Sequence, residues 1–463
     1  MRILITLVSL SIACGEEAGP TGGSASQDGA GPVGGSNVVG GGGATSSDGG
    51  HSQAGGSGTG GEGGGGVASY AVETALISDQ HRFIDGAMFG GWGPHLGHLI
   101  ELPSGVFLVD DVCSQPRGSS LLPCDASDDH TVGYYRRGPS GWALVTTQAL
   151  PGLVQQNTAT IASADGSALH TFGVDVAAGK IQECTFIAPA GVVTCAELPF
   201  TLAPGSNYIG AALSPLGHRL VWWTTVVDGG GGSFHYIVDY GSGWNGPRSG
   251  DVAGYNDASY INIAFPSTTP ATFVMHSQLV AGLAPNWTFT GAIGVGSLTT
   301  SDPVVWSAPL ASVGGTDPIA STNDIWIDPV SNDEHVIARA ASGAAAYFHR
   351  PTGGSWTAAA FVLDQSFRAR LIPHGDRVAL AYGLAGAGLA FRVATEADRT
   401  PGSPIDWGAL GEQAVALPDG YGDLYAIYPA GPPYQLAPGS AIELALVGAE
   451  RQFEVLGVTL TPP

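Results

Sequence analysis

The feature that most constrains this chain is a turn followed by a short apolar β run, which recurs about every 50 residues. Clear copies of the turn lie at 102–105, 163–166, 214–217, 372–375 and 417–420, and weaker copies lie near Pro270 and Asn332. Repeats of this length indicate one supersecondary unit used many times, because each unit buries its apolar face only against its neighbours. The sequence therefore predicts about seven similar units.

A second element follows several of these runs and defines the unit more closely. It is an aromatic strand, a polar turn, and then glycine or serine before Trp142, Trp244 or Trp356. Four short strands and their turns need about 50 residues, which is one blade of a β-propeller. A string of β-sandwiches that share this turn chemistry is the alternative.

No long stretch of the sequence has a helical period. The nearest to one, 441–456, alternates and is interrupted by Gly448, which predicts two strands and a turn. The predicted fold is all-β: a single propeller of six or seven four-stranded blades, with seven favoured, over residues 68–463. We expect the first strand, 70–76, to pair with a C-terminal strand such as 454–460, because an open sheet edge invites aggregation.

The repeated turns are similar to the Ser-Pro-Asp-Gly turns of TolB-type propeller repeats. The aromatic strands followed by tryptophan are similar to the blades of sialidase-like propellers. This resemblance covers most of residues 90–430. It implies an architecture and no particular activity, because one fold hosts many functions.

The start of the chain resembles the signal of a bacterial lipoprotein. Arg2 precedes an apolar run too short to span a bilayer, and a small residue precedes Cys14 as in a lipobox. The resemblance implies that 1–13 is a cleaved signal peptide and that Cys14 carries lipid at the outer membrane or cell surface. The alternative is an ordinary secretory signal with an incidental cysteine.

The segment 14–67 consists mainly of glycine, serine, alanine and threonine. Such a composition buries too little apolar surface to offset its ordering entropy, so we expect a disordered linker. A flexible coil of about 50 residues would hold the following domain on the order of 40 Å from its anchor.

The charge of the chain limits the classes of partner that it can bind. Only 16 Lys and Arg residues stand against 39 Asp and Glu residues. This excludes nucleic acid and anionic lipid surfaces as partners, because both are bound through clustered cations. Membrane contact is therefore expected only through the lipid anchor, and we expect a monomer.

The remaining cysteines form two pairs of equal spacing, Cys113 with Cys124 and Cys184 with Cys195. A hairpin folded about the turn at 188–191 places Cys184 directly opposite Cys195, at a separation that a disulfide spans. We predict a disulfide for each pair. Zinc is the rival interpretation, but neither pair has the two-residue spacing or the flanking histidines of zinc sites.

Catalytic signatures are weak in this sequence. The run 81–84 does not match the arginine motif that a sialidase resemblance would require, and hydrolase, metalloprotease and phosphate-loop motifs are absent from the sequence. Asp110 with Asp111 cannot form a catalytic dyad on a strand, because neighbouring side chains point to opposite faces. We predict no catalytic residues and expect a protein that is not an enzyme.

Polar and aromatic residues that suit ligand binding are concentrated at 89–98, with further candidates on neighbouring segments. Packing and turn structure are the alternative role for each of them. The candidate ligand-binding residues are Trp92, His95, His98, Asp111, Gln156 and Asn157.

One stretch is rich enough in oxygen ligands to suit calcium. It contains Asp328, Asn332 and Asp333, although it lacks the spacing of an EF-hand loop. Calcium near these residues is the one cofactor that the sequence suggests.

These observations predict a surface-tethered, extracytoplasmic propeller that binds a protein or an envelope polysaccharide. An extracellular glycan-active hydrolase or lyase on the same fold is the second hypothesis, and a structural envelope lipoprotein is the third.

Overall fold

The computed structural model describes most of the chain after residue 68. The described residues are 69–81, 98–112, 130–150, 158–175, 178–188, 190–204, 206–225, 232–251, 257–267, 269, 271–281, 288–300, 304–307, 310, 312–313, 315–363, 366–432, 436–451 and 454–463. They form 28 strands and one short 3-10 helical turn, Glu396–Asp398. No helix among them is long and apolar enough to cross a membrane. The predicted all-β class is confirmed for this part of the chain.

The strands are short and follow one another closely. In chain order they are β1 Ala71–Ser78, β2 Leu99–Leu102, β3 Gly105–Val112, β4 His130–Gly138, β5 Gly141–Leu150, β6 Ala159–Ala162, β7 Ala168–Asp175, β8 Lys180–Ile187, β9 Val192–Glu197, β10 Ser206–Leu213, β11 Arg219–Thr225, β12 Ser233–Asp239, β13 Trp244–Asp251, β14 Asp257–Ala264, β15 Thr272–Ala281, β16 Thr288–Ser297, β17 Val305–Ser307, β18 Ile319–Ile327, β19 Glu334–Ala340, β20 Ala345–Arg350, β21 Phe361–Leu363, β22 Ser366–His374, β23 Arg377–Leu384, β24 Gly388–Ala394, β25 Gln413–Val415, β26 Leu424–Gly431, β27 Ile442–Gly448 and β28 Val455–Thr461.

These strands assemble into five four-stranded sheets and one sheet of eight strands. The eight-stranded sheet consists of two groups of four, which join where β2 pairs in parallel with β26. We number the groups in chain order as group I (β2–β5), group II (β6–β9), group III (β10–β13), group IV (β14–β17), group V (β18–β21), group VI (β22–β25) and group VII (β26, β27, β28 and β1). Repeated antiparallel sheets of four strands are consistent with a β-propeller.

The burial of the strands follows their position in each group. In group II the second strand, β7, is buried almost throughout, whereas the fourth strand, β9, is mostly exposed. The first strand of this group, β6, is short and buried throughout, because neighbouring groups cover both of its faces. The polar fourth strand can face solvent at the outside of the group.

Most of the repeated turns connect the first strand of a group to the second. This holds for the turns at 102–105, 163–166, 214–217 and 372–375. The copy at 417–420 is also followed by a strand, β26, but it lies between two groups. Similar turn residues suit any short connection between strands.

The closing strand pair is confirmed. β1 pairs antiparallel with β28, with Ala71 opposite Thr461 and Leu76 opposite Leu456. The first described strand of the chain is therefore the fourth strand of group VII, and it covers the edge that β28 would otherwise expose.

Apolar side chains hold the groups together face to face. Seven hydrophobic clusters occur among the described residues, one between each pair of neighbouring groups. The cluster around Leu99, Tyr135 and Tyr428 joins group I to group VII, so the series of groups closes on itself. The hydrophobic core is therefore formed by the facing surfaces of neighbouring sheets.

The disulfide of group II has the predicted position. Cys184 of β8 lies opposite Cys195 of β9 and is bonded to it, with a Cα–Cα distance of 4.1 Å. The second predicted pair, Cys113 with Cys124, lies outside the described residues, as do Cys14 and the segment 14–67.

Gly210 of β10 lies where a side chain does not fit. A Cβ at this position would stand 2.4 Å from Cε2 and Cζ2 of the Trp222 ring, which is itself buried. We expect Gly210→Ala to displace that ring and to lower the free energy of unfolding by about 2 kcal/mol. Urea unfolding and the near-ultraviolet circular dichroism of tryptophan measure both effects.

The matched control for this variant is Gly138→Ala, because the nearest atom to a Cβ at Gly138 is 3.7 Å away. If Gly210→Ala unfolds at the same urea concentration as Gly138→Ala, the close packing of Trp222 against β10 is wrong.

Candidate functional site

The first strands of all seven groups surround one cavity. Its volume is about 560 Å³, within the range of ligand sites in proteins. Each first strand contributes lining residues, and the turns after several of these strands contribute others. Most of the lining is apolar, and the aromatic lining residues are Trp222, Phe265 and Trp326.

The cavity reaches solvent among these turns. Pro215, Leu216, Ser267 and Pro329 line the cavity and are exposed, and half of the surface of Leu216 is accessible. The rim of the cavity is therefore also rich in apolar side chains, in contrast to an ordinary polar turn surface.

Two charged residues, Asp324 and Arg377, occur among the described residues that line the cavity. Asp324 is buried on β18, beside a bulge in the pairing of β18 with β19. One of its oxygens accepts the Ile325 N–H at 2.9 Å, and the other accepts the Leu371 N–H at 3.2 Å. The carboxyl group is thus fixed in place by two neighbouring groups of the fold.

Burial raises the pKa of Asp324 to about 7, although the charge of Arg370 and the two backbone N–H donors oppose this shift. Arg370 is also buried and donates from Nε to the Ile427 carbonyl oxygen at 3.3 Å. An acid with a strongly shifted pKa in an apolar cavity marks a candidate functional site.

Arg377 is held at the edge of the cavity by other partners. Its Nη1 donates to the Tyr70 hydroxyl at 2.8 Å, and its Nη2 donates to the Ser440 carbonyl oxygen. The guanidinium group therefore ties group VI to the segment before β1 and to the loop before β27. Its Nε lies 3.6 Å from Asp376 and has no hydrogen-bond partner among the described residues.

The structure places two of the six predicted ligand residues. His98 is buried; its Nδ1 donates to the Val109 carbonyl oxygen at 2.8 Å, and its ring packs against Tyr428 of group VII. Asp111 is buried on the other side of group I and accepts a hydrogen bond from Thr158 at 2.9 Å. The other four, Trp92, His95, Gln156 and Asn157, lie outside the described residues, so the predicted site remains a prediction.

The oxygens at the suggested calcium site have other partners in the structure. The Asp328 carboxylate accepts the Val330 N–H and binds Arg399 at 2.9 Å, and both Asp333 oxygens accept backbone N–H groups. Asn332 Oδ1 accepts the Ser267 hydroxyl. Calcium needs six or more oxygen ligands around one point, whereas these oxygens are directed to separate donors. Among the residues that the structure describes, no cluster of His, Cys, Asp or Glu could hold a metal ion.

One buried pair beside the predicted site was not anticipated. His81 donates from Nδ1 to Asp110 at 2.6 Å, and His81 itself bridges to Val112 of β3. Asp110 and Asp111 thus point to opposite sides of group I, as the strand geometry predicted. Asp324 was also missed, since a single aspartate before an apolar run is an ordinary feature of a sequence.

Buried neutral histidines make the fold sensitive to acid. Burial lowers the pKa of His276 to about 3, and neither ring nitrogen has a hydrogen-bond partner within the described residues. The folded pKa lies below the unfolded value of 6.5, so the stability that depends on neutral His276 is present above pH 6.5 and falls as the pH falls towards 3. At pH 5 this loss is about 2 kcal/mol.

We therefore expect His276→Leu to reduce the acid sensitivity of the protein. Unfolding free energies of the variant and the wild type, compared at pH 8 and at pH 5, should show a gain for the variant of about 2 kcal/mol on going to pH 5. An equal difference at both pH values would show that His276 is not buried in its neutral form.

Comparison with known proteins bears on the fold. Neither the protein-family models nor the curated protein sequences contain a match. A protein of unknown function from Dyadobacter fermentans superposes with a TM-score of 0.50 at 12% identity, covering 85% of this chain and 99% of that chain. The polysaccharide lyase Uly1 superposes with a TM-score of 0.50 at 11% identity, covering 85% of this chain and 100% of that one. At such identities the likeness concerns the fold alone, and it is consistent with the propeller architecture.

Proposed function

We propose that this chain is a lipid-anchored, extracytoplasmic binding protein built on one seven-bladed propeller, with the central cavity as its binding site. The seven four-stranded groups, the seven hydrophobic clusters between them and the β1–β28 pair support seven blades. The partner is a protein or an envelope polysaccharide, reached by means of the long linker before residue 68.

The observation that carries this proposal is the cavity itself. It is lined by all seven first strands, is mostly apolar, opens among apolar turn residues and contains one fixed carboxyl group. Concave apolar sites with few polar groups are typical of ligand binding.

A glycan-active enzyme is the second candidate function. One protein of similar fold is a polysaccharide lyase, which shows that polysaccharide chemistry occurs on similar folds. A glycosidase of the usual kind needs two carboxyl groups in one cavity, and the described lining contains one, Asp324. The binding function is therefore the better supported of the two.

The anchor can be tested separately from the binding site. We expect labelled palmitate to be incorporated into the full chain in a bacterial host, and Cys14→Ser to abolish this incorporation. If the Cys14→Ser protein retains the label, the lipid is attached elsewhere and the proposed anchor is wrong.

The binding site can be tested by filling the cavity. Gly431 lines the cavity, and a Cβ at this position would meet no atom within 4 Å, so Gly431→Trp should fold and obstruct the site. Gly138→Trp, on an exposed turn, is the matched control. Against a peptide library and a panel of bacterial polysaccharides, we expect saturable binding that Gly431→Trp weakens at least tenfold and Gly138→Trp leaves unchanged. Binding that both variants retain would exclude the cavity.

A further inference from the structure

Taking the proposed function as its basis, we infer that the cavity receives a lysine side chain, presented on an apolar segment of a partner protein, with Asp324 as its counter-ion. The ligand chemistry is a primary ammonium group on a flexible hydrocarbon stem. The position of Asp324, the walls of the cavity and the charge of the chain all favour such a ligand.

The position of Asp324 favours a cation. Asp324 is one of the lining residues of the cavity, and two backbone N–H groups fix its carboxyl group. Arg370, the cation that acts on it most directly, is not among the residues that line the cavity, and it donates to the Ile427 carbonyl oxygen. A ligand ammonium group would approach Asp324 from the open side, where it would form a charge-assisted hydrogen bond in apolar surroundings.

The walls favour an ammonium group on a hydrocarbon stem. Trp222, Phe265 and Trp326 line the cavity, and aromatic rings attract cations as well as methylene groups. Long alkyl stems with a charged end suit apolar surfaces, because the stem can be buried while the charge finds a partner.

The rim favours a protein segment over an amino sugar. Leu216, Pro215 and Pro329 are exposed around the opening, and Val330 beside them has 64% of its surface accessible. An apolar peptide can cover these residues, whereas the hydroxyl groups of an amino sugar would lose water against them without gaining hydrogen bonds.

The negative charge of the whole chain also favours a cationic ligand. The formal net charge is −23 at pH 7, which attracts cationic partners over long distances and increases their association rate. Anionic peptides should be repelled for the same reason.

The test uses the mature full-length chain and three probes of matched size. The first is a blocked tripeptide Leu-Lys-Leu, the second replaces lysine by the neutral isostere norleucine, and the third is a glucosamine oligomer. Binding is measured by calorimetry and by tryptophan fluorescence, because Trp222 and Trp326 line the cavity. The variants are Asp324→Asn, Gly431→Trp and the control Asp419→Asn, whose side chain is exposed and is not among the residues that line the cavity.

We expect the lysine peptide to bind the wild type at least tenfold more tightly than the norleucine peptide, and Asp324→Asn to reduce this ratio below threefold. Asp419→Asn should leave the ratio unchanged. The comparison of the two peptides on the wild type needs no variant, so it stands even if Asp324→Asn fails to fold.

Other outcomes overturn the inference in distinguishable ways. Equal binding of both peptides, lost in Gly431→Trp, would reject the lysine preference and leave the proposed function intact. Glucosamine binding that depends on Asp324, without peptide binding, would reject the protein partner. If all three probes fail to bind, or bind equally well to Gly431→Trp, the inference and the proposed site both fail.

Discussion

A chain that begins at Asp79 should lose on the order of 5 kcal/mol or more of unfolding free energy relative to a chain that begins at Ala68. The shorter chain lacks β1 and with it the pairing from Ala71 to Ser78 along β28. It also lacks Tyr70, whose N–H and carbonyl oxygen bond to the Gln413 side chain, and Ile77, which is buried between groups I and VII. The exposed edge of β28 should in addition cause aggregation.

Urea unfolding followed by tryptophan fluorescence measures this effect. The chain that begins at Ala68 is the control, because it lacks only the segment before the first described residues and keeps β1. Equal unfolding midpoints for the two chains would show that β1 does not close group VII.

Arg219→Met should lower the free energy of unfolding by about 2 kcal/mol. Arg219 connects two groups: its Nε donates to Asp239 of group III at 3.1 Å, and its Nη1 donates to Glu183 of group II. Its guanidinium group also lies 4.8 Å from the centre of the Trp244 ring. Removal of this cation leaves two partly buried carboxylates without their charge partner.

Acid should weaken the ion pairs that Arg219 forms with Glu183 and Asp239. Burial raises the pKa of Glu183, but the hydrogen bond from His170 and the charge of Arg219 outweigh it, so the folded pKa is lowered. For Asp239 burial likewise raises the pKa, and the hydrogen bond from Arg219 and two backbone N–H groups lower it overall. The stabilisation is therefore complete above the unfolded pKa values and is lost as acid protonates the folded carboxylates.

Two further variants decide whether the effect comes from these contacts. Arg451→Met removes an exposed pair with Glu454 and should cost less than about 0.5 kcal/mol. Glu183→Gln in the Arg219→Met background should recover part of the loss, because it removes one of the unpaired charges. An Arg219→Met protein as stable as Arg451→Met at pH 7 would contradict the role of Arg219 between groups II and III.

Much of the fold could be predicted from local patterns. The Cys184–Cys195 pair follows from a turn and a two-residue alternation, and the β1–β28 pair follows from the need to cover a sheet edge. The disulfide depends only on the residues of one hairpin. The strand pair depends on the general rule that an exposed sheet edge must be covered. The position of the turn at 417–420 between two groups could not be predicted, because turn composition does not reveal which two strands it connects.

The candidate site could not be predicted in the same way. Asp324 becomes distinctive only because seven strands, distant in sequence, surround it and Leu371 of another group donates to it. The partner of Asp328 could not be predicted for a related reason: Arg399 is far from Asp328 in sequence, yet it binds the carboxylate that calcium would use. The role of an acidic side chain depends on the residues of other groups that contact it. These residues are distant in sequence, so spacing along the chain does not reveal them.

The most direct test of the central claim is positional cross-linking in the intact cell. A photoreactive benzoylphenylalanine placed at Leu216, on the rim of the cavity, is compared with one at Val305, an exposed residue of the outer strand β17. We predict one discrete adduct from position 216, lost when Gly431→Trp is added, and none from position 305. An adduct from position 305 alone, or one from position 216 that persists with Gly431→Trp, would contradict binding through the cavity.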